Sequence, residues 1–163
     1  MKQPESKVTP FLWFDTQAED AARFYVSVFA KSRLVDVAKW ADGAPASPGS
    51  VMSATFEIDG RQFIAFNGGP YFKFTEACSM FVSCEDQAEV DRYWNALIAD
   101  GGQPGRCAWL KDKYGLSWQI VPKALGQLLG DPDPTRAGRA MKAMMKMGKI
   151  DVAELARAAA DLN

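Results

Sequence analysis

The residues of this chain that could do chemistry are few, because it contains no histidine. Histidine is the side chain most often used for acid–base catalysis and for binding transition metals. The strongest remaining candidate is Gln119, an amide within the apolar run that ends the segment WLKDKYGLSWQIVP. An amide both donates and accepts hydrogen bonds, so it can orient a small organic ligand. Gln119 can equally be a satisfied polar residue that bridges two strands, and the sequence leaves both interpretations open.

Further polar residues are predicted beside Gln119. Successive side chains of a strand point to opposite faces, so Ser117 and Gln119 share one face of their strand. In the apolar run CSMFVSC, the same alternation places Ser79, Phe81 and Ser83 on one face. We predict that these residues line a concave surface of mixed polar and apolar character, which suits a small organic ligand.

The loop FNGGPYFKF is another candidate for ligand contact. Gly68 and Gly69 permit a close backbone approach or a sharp reversal, and Tyr71 supplies a hydroxyl group. Asn67, Gly68 and Tyr71 are therefore candidate ligand residues of a lid over the concave surface. The alternative is a structural role, since this loop must also connect the two parts of the chain.

The three cysteines, Cys78, Cys84 and Cys107, do not indicate a metal or disulfide site. None lies in a C-x-x-C pair, and an odd number argues against a disulfide framework. Without histidine a zinc site is not predicted, and a catalytic cysteine would lack its usual imidazole base. We interpret all three as small buried residues and predict neither a metal ion nor another cofactor.

Length and composition limit the class of protein. The 163 residues suit one domain or two small modules, and a hydrophobic fraction of 48% is enough for a core. A net charge of −1 without a basic block gives no electrostatic basis for nucleic-acid binding. No apolar run approaches the roughly 20 residues of a membrane span, and the polar start MKQPESK has no signal-peptide core. We therefore expect a cytoplasmic protein without nucleic-acid or membrane partners.

The elements that position the candidate residues are predicted to form a tandem repeat. The string Gln-Ala-Glu occurs twice, each time after a short apolar run and at the start of a helical pattern. Thr16 with Glu19 matches a capping box at the first helix, and Asp86 with Glu89 matches one at the second. The chain therefore contains two strand–helix units in tandem.

Strands follow both helices, and a helical tail ends the chain. After the first helix, Asp59-Gly60 predicts a type I′ hairpin turn, and after the second helix only two strands are convincing. In the tail, Pro134 is typical of a helix start, and Asp151 with Glu154 forms a third capping box. We divide the chain into a first βαβββ module at residues 1–70, a shortened second module at residues 71–122 and a C-terminal helical extension at residues 123–163.

Three segments together resemble a known family. FNGGPYFKF, CEDQAEVDRYWNAL and WLKDKYGLSWQIVP are similar to the 3-demethylubiquinone-9 3-methyltransferase domain family, also called PhnB-like, of the vicinal oxygen chelate superfamily. That superfamily includes the glyoxalases and bleomycin-resistance proteins. The resemblance implies an α+β fold in which two tandem βαβββ modules each curl a sheet into half of a cup, followed by a helical tail. It also implies a homodimer.

The resemblance also bears on metal binding. Metal-using members of the superfamily hold an ion on strands of both modules, and the corresponding positions here are Gln119, Ser79, Val8 and a residue near Phe63. Valine and phenylalanine cannot bind a divalent ion, and a serine or an amide alone binds one weakly. The resemblance therefore implies a metal-free member.

These observations give one expected function and two alternatives. We expect a protein that binds a small organic molecule in a dimeric cup, with the reaction unknown and no catalytic constellation visible. One alternative is a non-catalytic binding protein of the antibiotic-sequestering type. The other is the methyltransferase of the family name, although the chain has no G-x-G-x-x-G loop of the kind that binds a nucleoside cofactor on a parallel sheet.

Overall fold

The first half of the chain has the predicted βαβββ order. The computed structural model describes residues 4–160 and has two compact units, of which the first ends at Phe74 and the second begins at Thr75. The elements of the first unit are β1 (Phe11–Phe14), α1 (Ala18–Val28), β2 (Ser32–Lys39), β3 (Val51–Ile58) and β4 (Arg61–Asn67). The strands form a sheet in the order β1-β4-β3-β2, in which β1 is parallel to β4 and the other pairs are antiparallel.

One face of the first sheet is covered by α1. The helix buries Ala21, Ala22 and Tyr25, and the Tyr25 ring lies 5.7 Å from the ring of Phe56 on β3. Phe56 in turn stacks on Phe63 of β4 at 5.2 Å. Burial of each phenylalanine stabilises the unit by about 1.5–3 kcal/mol, so this face is the core of the first unit.

The start of α1 differs from the prediction. Thr16 does not cap the helix, because the N-cap residue is Gln17 and its side chain makes no capping hydrogen bond. Instead, Asn67 at the end of β4 accepts a hydrogen bond from the backbone N–H of Ala18 at 2.8 Å and donates one to the carbonyl of Val51 at 3.0 Å. The backbone N–H at the start of α1 is thus satisfied by a side chain distant in sequence, and not by the Thr16 hydroxyl that the local pattern predicts.

The hairpin between β3 and β4 is confirmed. Asp59 and Gly60 have φ angles of 45° and 79°, and Ile58 pairs with Arg61 across the turn. Positive φ at both central residues is what a type I′ turn requires.

The second unit repeats this order with three strands after its helix. Its elements are β5 (Ser79–Cys84), α2 (Gln87–Ile98), β6 (Gln103–Pro104), β7 (Trp109–Lys111) and β8 (Ser117–Pro122). The sheet order is β5-β8-β7-β6, with β5 parallel to β8. Asp86 caps α2 as predicted, since its carboxylate accepts from the N–H of Glu89 at 2.9 Å. The sequence does not predict β6, because two residues are too few to show an alternation.

Three helices complete the second unit, namely α3 (Lys123–Leu129), α4 (Pro134–Met144) and α5 (Val152–Ala160). Pro134 begins α4 and Asp151 caps α5 through the N–H of Glu154 at 2.8 Å, both as predicted. For α3 the sequence predicts only that its residues belong to the helical extension. The apolar faces of the tail pack around a cluster of Ala108, Leu125, Met147, Ile150 and Leu155. The α+β fold of two βαβββ modules with C-terminal helices is therefore confirmed. Among the helices of residues 4–160, none is long and apolar enough to cross a membrane.

Candidate functional site

The candidate residues of the second unit lie on the face of its sheet that is turned away from α2. Strand β8 lies between β5 and β7, and directly opposed residues of neighbouring strands share a face. On the side away from α2 they form two rows, with Phe81, Gln119 and Trp109 in one and Ser79, Ser117 and Lys111 in the other. We call these six side chains the open face. The predicted grouping of Ser79 with Phe81 and of Ser117 with Gln119 is thus seen in the sheet register.

Gln119 and Ser79 are hydrogen-bonded to each other across the open face. Nε2 of Gln119 donates to Oγ of Ser79 at 2.9 Å, so the amide does bridge two strands. Its Oε1 atom makes no hydrogen bond with any of residues 4–160, and the side chain is only partly buried. Phe81, its neighbour in the row, is 62% exposed. The bridge therefore holds the amide in place while its acceptor oxygen stays available to a ligand.

A cavity of about 240 Å³ lies at the open face, on its β6 side. Trp109, Lys111 and Ser117 line it, together with Glu76 and Gln103. Nζ of Lys111 lies 2.6 Å from the carboxylate of Glu76, and this hydrogen bond lowers the pKa of Glu76. The two opposite charges offset each other, so the cavity carries no net charge from this pair.

Ser117 is the most deeply buried residue of the open face, with 1% of its surface exposed. Its Oγ atom has no hydrogen-bond partner within the described part of the chain. Buried hydroxyl groups are nearly always hydrogen-bonded, so the wall of this cavity contains an unsatisfied polar atom.

Asp112 organises the turn that leads into β8, a role that the sequence does not reveal. Its buried carboxylate accepts from the N–H of Tyr114 at 2.9 Å, from the N–H of Leu116 at 3.1 Å and from Nε1 of Trp118 at 2.8 Å. Gly115 in the same turn has a φ of 86°, a conformation that favours glycine. Because Trp118 is thereby fixed on the face covered by α2, its neighbours along β8 project onto the open face.

The three candidates of the loop FNGGPYFKF lie in the first unit. Asn67 uses its amide at the start of α1, as described above. A Cβ atom on Gly68 would lie 2.1–2.4 Å from ring atoms of Trp13, whose Nε1 donates to the carbonyl of Gly69 at 2.8 Å. Asn67 and Gly68 therefore have structural roles that account for their residue types. Tyr71 is 80% exposed.

The positions implied for a metal ion do not supply a suitable set of ligands. Val8 precedes β1 and is 86% exposed, and Phe63 faces Phe56 on the side covered by α1. The pairing of the parallel strands places Ile64, one residue further, at the position that corresponds to Gln119. Isoleucine offers no donor atom, so these residues do not fit a divalent ion. In the described range, 4–160, no three His, Cys, Asp or Glu side chains are grouped so as to hold a metal.

The three cysteines are free thiols in different environments. Cys84 is fully buried, and burial raises the pKa of its thiol to about 12. It therefore stays protonated at neutral pH and is not a nucleophile. Cys107 is partly buried and Cys78 is exposed, so the prediction of burial is wrong for Cys78, which lies in the turn before β5 rather than within the strand.

Comparison with known proteins identifies the family. The sequence profile of the family described as 3-demethylubiquinone-9 3-methyltransferase matches residues 6–121 of this chain, which include both βαβββ modules. The chain belongs to this family. The resemblance inferred from its sequence segments is thereby confirmed.

One solved structure supports the same assignment, and others are similar to the chain at lower identity. The PhnB protein from Bacillus cereus, which carries the same methyltransferase designation, is 34% identical with a TM-score of 0.65 and covers 72% of this chain and 99% of its own. A Pseudomonas aeruginosa protein that is 21% identical has the same fold, with a TM-score of 0.61 and coverage of 72% and 98%. A glyoxalase/bleomycin resistance protein from Albidiferax ferrireducens is 15% identical with a TM-score of 0.46 and coverage of 72% and 99%. No curated protein matches the chain.

Proposed function

We propose that the open face of the second unit binds a small organic molecule without the help of a metal ion. The observation that carries this proposal is the cavity of about 240 Å³ whose wall contains the unsatisfied hydroxyl of Ser117. The free acceptor of Gln119 and the exposed ring of Phe81 extend the same surface. An apolar and aromatic concave surface with a few polar groups is typical of ligand sites.

The open face supports binding better than acid–base catalysis. Of its six residues only Lys111 carries a charged side chain, and it is paired with Glu76. A general base works best with a pKa near the operating pH, whereas the pairing lowers the pKa of Glu76. We therefore propose a binding function and assign no reaction, which makes a non-catalytic sequestering protein the nearest functional class.

We further propose that the protein is a homodimer, because the first unit exposes aromatic surface. Phe11 is 51% and Phe72 is 64% exposed. The rings of Phe11 and Trp13 lie 5.3 and 5.4 Å from the ring of Phe66, so these side chains form one continuous patch. Exposed aromatic patches are typical of protein interfaces. Light scattering should therefore give twice the chain mass of 17.9 kDa.

A methyltransferase is the second candidate, and the family description together with the name of the Bacillus cereus relative favours it. The cavity of about 240 Å³ is smaller than the roughly 300–1,000 Å³ of sites for drug-sized ligands, and S-adenosylmethionine is a ligand of that size. Titration calorimetry with S-adenosylmethionine separates the two candidates. Saturable binding would favour the methyltransferase, and no heat at millimolar ligand would exclude it.

Native mass spectrometry of gently purified protein, prepared without chelator, tests the main proposal. We expect a dimer with a reproducible extra mass from an organic molecule and with no metal. Gln119→Ile, which copies the corresponding residue of the first sheet, should remove the extra mass. Gln127→Ile, the same substitution at an exposed position of α3, is the matched control and should retain it. A stoichiometric transition metal, or an organic mass that survives Gln119→Ile, would contradict the proposal.

A further inference from the structure

The hydroxyl of Ser117 is a buried polar atom that the fold itself does not use. Its residue is 1% exposed and its Oγ makes no hydrogen bond within residues 4–160. Leaving a buried hydroxyl unpaired destabilises the folded state, and Ser117 lines the cavity, where a partner from outside the protein can reach it. The side chain of Ser117 rotates about its Cα–Cβ and Cβ–Oγ bonds, so its hydroxyl can turn toward such a partner.

The surroundings of Ser117 define the shape of that partner. Trp109 and Lys111 project from the same face and line the same cavity, and Pro104 adds apolar surface. A volume of about 240 Å³ is below the range of drug-sized ligands and matches a single ring with small substituents. The half-buried indole of Trp109 offers an aromatic surface against which a flat ring can pack.

The charges around the cavity define its polarity. Lys111 and Glu76 form an ion pair at 2.6 Å, so the pair presents both signs at once. An anionic ligand would meet the carboxylate of Glu76, and a cationic ligand would meet the ammonium of Lys111. A neutral molecule avoids both repulsions. It can still hydrogen-bond to Ser117.

We propose that the cavity binds an uncharged, single-ring aromatic molecule whose ring-attached oxygen hydrogen-bonds to Ser117. This inference rests on the proposed function of the open face and names the class of its ligand. Ser117 is then the residue that selects oxygen-bearing rings over plain hydrocarbon rings. The aromatic ring itself is held by Trp109.

The experiment compares phenol with toluene, two rings that differ in the oxygen atom. Binding is followed by the indole N–H signals of ¹⁵N-labelled protein, with the Trp109 signal assigned from a Trp109→Phe variant. We expect both rings to shift the Trp109 signal and phenol to bind about fivefold more tightly, the ratio that one net hydrogen bond provides. Ser117→Ala should abolish this preference without reducing the thermal stability, because it removes an unpaired buried group. Benzoate, the anionic probe, should bind more weakly than phenol.

Two other buried hydroxyls provide matched controls. Ser53 and Thr55 on β3 are also buried without a partner in the described residues, and neither lines the cavity. Ser53→Ala and Thr55→Val should leave the ratio of phenol to toluene affinity unchanged. They show what removal of an unpaired hydroxyl does elsewhere in the fold.

The outcomes separate this inference from the proposed function. Equal affinity for phenol and toluene, a preference that persists in Ser117→Ala, or tighter binding of benzoate would overturn the inference while ligand binding at Trp109 stands. Failure of both rings to shift Trp109, alongside an organic mass that Gln119→Ile removes, would also overturn the inference alone. Failure of both rings together with no bound organic mass would overturn the proposed function as well.

Discussion

The two repeats have the same order of elements but differ on the face of the sheet that lies away from the helix. In the first sheet the ring of Phe66 contacts those of Phe11 and Trp13. In the second, the position that corresponds to Ile64 is Gln119, which is hydrogen-bonded to Ser79. Ser117, on the same face of the strand, has an unsatisfied hydroxyl. The strand pairing is common to both, so the polar chemistry of the second sheet is a property of its side chains rather than of the fold.

The two repeats also fix their turns and helix ends by different means. The first uses a two-residue turn at Asp59-Gly60 and a tertiary cap from Asn67. The second uses the buried carboxylate of Asp112 in its turn and a local cap from Asp86. The turn that leads into β8 of the second sheet therefore depends on the buried carboxylate of Asp112.

Removal of the Asp112 carboxylate should have the largest effect on stability. Asp112→Ala leaves three N–H donors without their acceptor, and two of them, the N–H of Leu116 and Nε1 of Trp118, are buried. The substitution should therefore reduce the free energy of unfolding by about 3–5 kcal/mol. Asp59→Ala in the turn of the first repeat should cost about 1 kcal/mol, since it affects only a left-handed backbone position. Urea unfolding of both variants checks the difference, and equal losses would break the comparison.

A smaller loss is expected at Gly68 in the first repeat. Gly68→Ala drives a Cβ atom into the Trp13 ring at 2.1–2.4 Å, and such overpacking costs about 1–3 kcal/mol. The control is Gly138→Ala, because Gly138 lies in α4 with open space around the added carbon. That change should stabilise by about 0.5–1 kcal/mol. A neutral effect of Gly68→Ala in thermal unfolding would show that packing does not require the glycine. It would favour the ligand role that the sequence predicts for Gly68.

The helix caps give a third test. Asn67→Ala loses one bond to the start of α1 and one to Val51, and should cost about 2 kcal/mol. Asp86→Ala loses only a local cap and should cost about 1 kcal/mol. Chemical denaturation of the two variants under the same conditions measures this order. A larger loss for Asp86→Ala would show that the tertiary cap is dispensable.

The smallest effect concerns Cys84 on the helix-covered side of the second sheet. Its thiol pKa rises from 9.0 to about 12 on burial, so the unfolded chain releases this proton at a lower pH than the folded one does. The contribution of the protonated Cys84 thiol to folding stability is fully present below pH 9. It is lost as the pH rises, by about 1 kcal/mol between pH 9 and pH 10. Cys84→Ala should remove this part of the pH dependence, and Cys78→Ala, at an exposed thiol, should not. Equal slopes in wild type and Cys84→Ala would contradict the assignment.

The sequence predicts those features that depend on local spacing. The repeat, the turn at Asp59-Gly60, the cap at Asp86 and the alternation that groups Ser117 with Gln119 all follow from neighbouring residues. The cap from Asn67 joins residues 49 positions apart, and no local pattern indicates it. The ion pair of Glu76 with Lys111 and the missing partner of Ser117 likewise depend on how segments distant in sequence lie in the fold. The candidate surface was therefore predictable, whereas the cavity and its charges were not.

An isotope-filtered NOE spectrum of labelled protein with saturating phenol tests most directly whether the second repeat carries the ligand site. It records which side chains lie within a few ångströms of the bound ring. The structure predicts contacts from the phenol protons to Trp109 and Pro104, which border the cavity. Contacts to Trp13 and Phe66 of the first sheet, without any to Trp109, would contradict this account and assign the site to the first repeat.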